Sequence, residues 1–175
     1  MVICHEYDLI FFEFPRAAST AIAWLLKDHY GGTQSIVGGT SHHAEVPAGC
    51  EDYFFFTSIR NPYSRVYSHY RWKCAKRNLR LSFEQYLRNT NDTLRHYFGD
   101  TRFDAVVRFE ELPESIFSLL RSRGMTTDAK LGRHGISTGV GWKKAYTQKL
   151  ADLVYRASEG EFQTYGYERD SWRKE

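Results

Sequence analysis

Short apolar runs alternate along this chain with stretches of helical period. Residues 8–14, DLIFFEF, are nearly continuous apolar, the pattern of a strand buried on both faces of a parallel sheet. Beyond Pro15–Ala18, Ser19 or Thr20 can cap a helix with an apolar face of Ile22, Leu25 and Leu26 that stops at Gly31-Gly32. Residues 33–52 are rich in Gly and polar side chains and read as loop with one short strand. Tyr53–Ile59 is a second buried strand, followed by a helix through SRVYSHYRWKC with Pro62 in its first turn. SFEQYLRN is a further helix capped by Ser82, FDAVVRF a third strand, and ESIFSLLRSRG a helix ending at Gly124. The stretch TDAKLGRHGISTGVG reads as a long cation-bearing loop, and TQKLADLVYRASEGEFQTYGY as one last helix with an aromatic tail. This alternation predicts a three-layer α/β/α fold with a small, mostly parallel sheet, in a single domain over residues 1–175.

Composition narrows the classes. A chain of 175 residues with 42% hydrophobic and 26% charged side chains has the make-up of a folded globular domain, not a disordered one. A formal charge of +3 is too small to argue for a nucleic-acid partner, yet it suits an anionic ligand. Three widely spaced cysteines without a CxxC pair give neither a disulfide framework nor a zinc site. No run reaches the ~18 apolar residues of a membrane span. The charged segment His5–Asp8 does not read as a secretory signal, so the expectation is a reducing, cytoplasmic setting or a catalytic domain without its anchor.

Candidate chemistry gathers where two strands end. FPRAAST places Arg16, two hydroxyls and three small or rigid residues at a strand-to-helix junction. There, backbone N–H groups, the Ser19 and Thr20 hydroxyls and Arg16 can cradle an anion. SIRNPYSRVYSHY places Arg60 at the next strand end and Ser68 about two helical turns further on, able to share one phosphate. An Arg after a strand or a Ser-Thr pair before a helix is commonplace taken singly; two at consecutive junctions are not. A Walker A loop is excluded, since neither Gly nor Lys occurs in residues 14–21, and no GxGxxG is present.

These two stretches resemble the phosphosulfate-binding motifs of the sulfotransferases that use 3′-phosphoadenosine 5′-phosphosulfate (PAPS). The first is similar to the family's P-[KR]-x-[GA]-[GST]-[ST] loop. In the second, Arg60, Asn61, Pro62, Arg65, Ser68 and Tyr70 all fall in register with R-[ND]-P-x-x-R-x-x-S-x-Y. FDAVVRFEELPESIFSLLRSRGM and WKKAYTQKLADLVYRASEGEFQTYGYE resemble further segments of the carbohydrate-type and bacterial branch, so the likeness covers nearly the whole chain. It implies a P-loop-nucleotide-hydrolase-like fold and transfer of a sulfuryl group, without metal, to a hydroxyl acceptor, a saccharide or glycolipid before a small phenol. The implied cofactor-binding residues are Pro15, Arg16, Ala17, Ala18, Ser19, Thr20, Ala21, Arg60, Ser68 and Arg133, with adenosine 3′,5′-bisphosphate as product. Arg16 stands where many members carry Lys, and Ala21 where a second hydroxyl is common.

An acceptor hydroxyl calls for a general base, and His42 or His43 in GGTSHHAEVP is the candidate; an imidazole pKa near ~6.5 suits the task. With Arg16 these are the expected catalytic residues. Glu45 and Glu13 are weaker candidates, Glu13 as an orienting group within the first strand or as a residue at an exposed strand end. Arg133, His134, Lys143 and Lys144 supply a basic Gly-rich loop, and Trp72, Trp142 and Tyr146 are candidate stacking platforms. Arg71, Lys73, Lys76, Arg77 and Arg80 form either a solvated helix end or a surface for an acidic glycan. Two other readings stay open: an ATP-dependent P-loop-like kinase or transferase, and a non-catalytic module binding a nucleotide or an anionic glycan.

Overall fold

The structure is a computed structural model that describes residues 1–126, 128–132 and 141–173. It is an α/β protein. Strands β1 (Val2–Cys4), β2 (Leu9–Phe12), β3 (Thr33–Gln34), β4 (Phe54–Ile59) and β5 (Ala105–Arg108) form one sheet in the order β3-β1-β2-β4-β5. Parallel pairing joins β2 to β4, with Phe12 opposite Thr57, and β4 to β5. Antiparallel pairing joins β1 to both β2 and β3. The sheet is therefore mixed, where a mostly parallel one was expected. Asp8, with φ of 45°, lets the chain double back so that Val2–Cys4 pairs on β2, a hairpin that the apolar pattern alone does not announce.

Helices α1 (Ser19–His29), α2 (Pro62–Arg77), α3 (Phe83–Arg88), α4 (Leu94–Phe98), α5 (Glu114–Ser122), α6 (Gln148–Ala157) and α7 (Glu159–Tyr165) complete the described secondary structure with three short 3₁₀ turns. The expected single C-terminal helix is two, α6 and α7. Ser158 leaves helical geometry at φ −115°, ψ 20°, closing one helix and opening the next. None of the described helices is long and apolar enough to cross a membrane.

The chain divides into two compact units: Met1–Ile59 with the described part of Tyr97–Gly135, and Arg60–His96 with the described part of Ile136–Glu175. The first holds the sheet. Alternation in the strands sends Leu9, Phe11, Phe56 and Val107 to one face, where they form a buried cluster with Ile22, Leu25 and Leu26 of α1 and Ile116 and Leu120 of α5. On the opposite face the Phe12 ring meets Phe55, Phe98 and Phe103 edge-on at 5.3, 5.7 and 5.4 Å. Aromatic pairs of that geometry add ~0.5–1.5 kcal/mol each beyond the area they bury. After α1 the chain must pass close to β1. A Cβ at Gly32 would lie 2.8 Å from Val2 Cγ1 and 3.0 Å from the Leu26 backbone, so only glycine fits.

The second unit is helical with an aromatic core of Tyr63, Tyr86, Tyr146 and Phe162 around Val66, Ala151 and Val154. Two of its tyrosines are satisfied by backbone: Tyr146 Oη donates to the Tyr63 carbonyl at 2.8 Å and Tyr63 Oη to the Arg169 carbonyl at 2.6 Å. Burial pushes the Tyr63 phenol up to about 12 and that of Tyr146 well above its ordinary value. Tyr146 is thus a core residue, not a stacking platform. Also buried here is a polar knot. Arg65 and His69 of α2 hold the Asp92 carboxylate at 3.1 and 2.7 Å, and Arg65 also donates to the Asp92 carbonyl.

Candidate functional site

β2 ends at Phe12, and Glu13, Phe14 and Pro15 continue buried before the chain turns, with Ala17 N–H donating to the Phe14 carbonyl at 3.3 Å. Within that turn Arg16 (φ 66°) and Ala18 (φ 65°) both adopt the left-handed region. Each costs on the order of 1–2 kcal/mol for a residue with a Cβ, and two such residues in a span of three are unusual. Left-handed residues alternating with an ordinary one swing successive backbone N–H groups to a common side, a concavity that accepts an anion.

α1 begins directly beyond it. Its N-cap is Ala18, not Ser19 or Thr20, and no side chain caps it; Ile22 N–H makes the first bond back, to the Ala18 carbonyl at 3.1 Å. Ser19, buried, and Thr20, exposed, are the first two helical residues. A helix start without a capping side chain leaves its first amides and the positive end of its dipole open to an external acceptor. The alanines do something other than expected. Ala17 and Ala21, like Pro15, are buried, so these positions seat the turn in the protein and offer a ligand only backbone; Ala18 is half-exposed. The Arg16 side chain in this turn is half-buried. Burial lowers its pKa from the usual value, although a guanidinium remains a cation throughout the physiological range.

The two histidines separate cleanly. His42 is half-buried and its Nδ1 lies 2.6 Å from the Glu13 carbonyl. A carbonyl only accepts, so Nδ1 carries the proton and Nε2 is the basic nitrogen of the neutral ring. The Tyr97 ring stands edge-on to it at 6.1 Å. His43 is buried: its Nε2 donates to the Ser35 carbonyl at 3.2 Å, and its Nδ1 has no hydrogen-bond partner among the described residues. His42 is thus held by the Glu13 backbone at the end of β2, whereas His43 is packed as a core residue. Glu13 is not at an exposed strand end. Its buried carboxylate accepts from the Gln34 amide and lies 3.4 Å from the Met1 amino group, while its backbone orients His42.

In the helical unit, Arg60 directly follows β4 in the chain and is buried, its Nε donating to Ser64 Oγ at 2.8 Å. Ser64 in turn donates to the Asn61 carbonyl at 3.1 Å, and Asn61 Oδ1 caps α2 by accepting from the amides of Tyr63 and Ser64. The guanidinium is thereby fixed. Ser68, the expected companion, is buried on α2 one turn beyond Ser64. Arg65, in register with the same motif, is a structural cation in the Asp92 knot. Sequence reasoning missed Ser64, though the i, i+4 spacing from Arg60 was there to be read. It had no access to the Glu13 carbonyl, whose partner lies 29 residues away.

Arg133 and His134 lie outside the described residues. Lys143 sits over the Trp142 ring at 5.9 Å, in the 3₁₀ turn before α6. Among the described residues no group of three His, Cys, Asp or Glu side chains is arranged to hold a metal ion. Compared with protein-family models, with curated proteins and with solved structures, the chain has no match.

Proposed function

We propose that this chain is a PAPS-dependent sulfotransferase with a P-loop-like three-layer fold, moving a sulfuryl group to a hydroxyl of a saccharide or glycolipid acceptor. The observation that carries the reading is the Pro15–Ser19 turn: two left-handed non-glycine residues, a helix start without a cap, and a cation, all at one strand end. Strain of this kind persists where a ligand uses the geometry. The resemblance of each motif supplies the identity of its anion: it implies a phosphosulfate for the Arg16–Thr20 turn and, separately, a 3′-phosphate for Arg60 and Ser68.

The chemistry follows. His42 Nε2 takes the acceptor's hydroxyl proton as its oxygen forms a bond to sulfur. The sulfur–oxygen bond to the 5′-phosphate breaks in line, and its electron pair stays with adenosine 3′,5′-bisphosphate. Charge spreads onto the equatorial sulfuryl oxygens and the departing phosphate, where Arg16 and the α1 amides stabilise it. Arg16 is suited to a fixed positive charge but is too weak an acid to protonate the leaving group.

The test is thermal unfolding with adenosine 3′,5′-bisphosphate, AMP, ADP or ATP–magnesium. Ligand at ~100 times its Kd adds about 2.7 kcal/mol, on the order of 5–10 °C at this chain length. A shift that requires the 3′-phosphate and disappears in Arg60→Ala is expected. An equal or larger shift with ATP–magnesium, or none with the bisphosphate, overturns the assignment.

A further inference from the structure

Between Asp52 and Glu84 the sequence holds no acidic residue. The C-terminal half of α2 and the turn after it carry Arg71, Lys73, Lys76, Arg77 and Arg80, and none of the five forms an ion pair among the described residues. The acidic residue next along the chain, Glu84, is engaged by Arg88 and Lys149 at 2.9 and 2.8 Å. Cations in the last helical turn suit the negative end of the dipole, which accounts for Lys76 and Arg77. It does not account for what lies among them. Trp72, Leu79 and Leu81 are 39%, 39% and 37% exposed, three of the six large apolar side chains most open to solvent among the described residues. Asn78, left-handed at φ 50°, ends the helix, and Leu79-Arg80-Leu81 follow it with their side chains partly exposed, the Leu79 amide donating to the Cys74 carbonyl and the Leu81 carbonyl accepting from Tyr70 Oη.

From this combination we infer that the α2 end is a docking surface for an anionic lipid bilayer. Unpaired lysines and arginines draw a protein to negative headgroups, and their pull decays over a Debye length. Two partly exposed leucines after the helix give the aliphatic contact that makes such binding hold, and an exposed tryptophan on the same helix suits the headgroup boundary, its ring flanked by Lys76 at 4.8 Å. A polyanionic glycan or nucleic acid would use the cations but has nothing to offer Leu79 and Leu81. The patch includes no residue given a cofactor role, so its failure and that of the sulfotransferase reading are separate.

Sedimentation of the full chain with vesicles of pure phosphatidylcholine, and with vesicles containing phosphatidylserine, tests this. Binding is expected only with the anionic lipid, weakening about tenfold or more between ~0.1 and ~0.5 M salt. Charge reversal in K76E/R77E/R80E should abolish it. L79S/L81S should weaken it several-fold while retention on a sulfated polysaccharide stays as in the parent chain. All five positions are exposed, so both variants are expected to keep the parent's melting temperature and its shift with adenosine 3′,5′-bisphosphate. No sedimentation with anionic vesicles overturns the proposal. So does vesicle binding indifferent to L79S/L81S, or tighter binding to the polysaccharide or to duplex DNA, which assigns the patch to a polyanion.

Discussion

His42 donates its Nδ1 proton to the Glu13 carbonyl at 2.6 Å, two residues before the strained turn that begins at Pro15. One hydrogen bond thus sets both the tautomer of the ring and its place at the end of β2. Under the proposed mechanism, His42→Ala lowers kcat for sulfuryl transfer by ~10²–10⁴ while the thermal shift with adenosine 3′,5′-bisphosphate is kept. His43→Ala behaves oppositely. It removes a buried ring bonded to Ser35 and costs about 1–3 kcal/mol of stability, with kcat per folded molecule little changed. Steady-state kinetics beside urea unfolding separates the two, and a base at His43 reverses the pattern.

Ser64 fixes the Arg60 guanidinium at 2.8 Å and touches nothing assigned to the acceptor. Removing its hydroxyl in Ser64→Ala frees Arg60 and costs about 1 kcal/mol of bisphosphate binding, some five- to tenfold in Kd. AMP, which lacks the 3′-phosphate, should bind Ser64→Ala and the parent chain equally. Calorimetric titration with both ligands reads the difference.

Ala18 sits at φ 65° and is only half-buried. Glycine occupies that region without the ~1–2 kcal/mol penalty of a Cβ but loses roughly 0.5–1 kcal/mol through the greater freedom of the unfolded chain. Relief of the Cβ strain outweighs that loss, so Ala18→Gly should raise stability by about 0.5–1 kcal/mol, a Tm rise of ~1–4 °C. A fall in Tm indicates that the left-handed geometry is not held in the free protein.

These contrasts show where the chain could be read in advance. The strands β2, β4 and β5, the Ser82 cap of α3 and Pro62 at the start of α2 follow from local pattern and chemistry, and each was legible. The β1–β2 hairpin was not, because it depends on Asp8 entering the left-handed region, which Asp tolerates but does not signal as Gly would. In the candidate site the cationic turn was visible, yet its hydroxyls were given a capping role that Ala18 takes. An alanine cap has no signature, since its peculiarity is the bond it does not make. The choice between adjacent histidines rested on contacts with Glu13 and Ser35, which sequence spacing does not encode.

Cys4 is buried in β1, and desolvation raises its thiol to about 12; Cys50 is buried too, and Cys74 is half-exposed on α2. In the native protein a disulfide reagent should therefore modify Cys74 at once and the other two only after denaturation. Rapid reaction of two or three thiols, counted by released chromophore or by mass, contradicts the burial of β1.

Arg65 meets the Asp92 carboxylate at 3.1 Å with both side chains almost wholly buried, and His69 meets its other oxygen at 2.7 Å. Burial alone would raise the Asp92 pKa, but the Arg65 and His69 interactions outweigh it and hold the carboxyl well below the usual range. A depressed folded-state pKa means that the contribution to stability is complete above the unfolded value of about 3.9 and drains away as pH falls through the folded one. Replacing Asp92 by Asn strands a buried guanidinium and should cost about 3–5 kcal/mol at neutral pH. The Asp92 part of the gap in urea-unfolding free energy between parent and Asp92→Asn should be complete above pH ~5 and narrow below pH ~4. Arg65→Met with Asp92→Leu removes both charges of the pair and should cost less than the sum of the two single changes. A double variant as damaged as the sum of the singles, or a gap that does not narrow below pH ~4, rules out this knot as a paired buried charge.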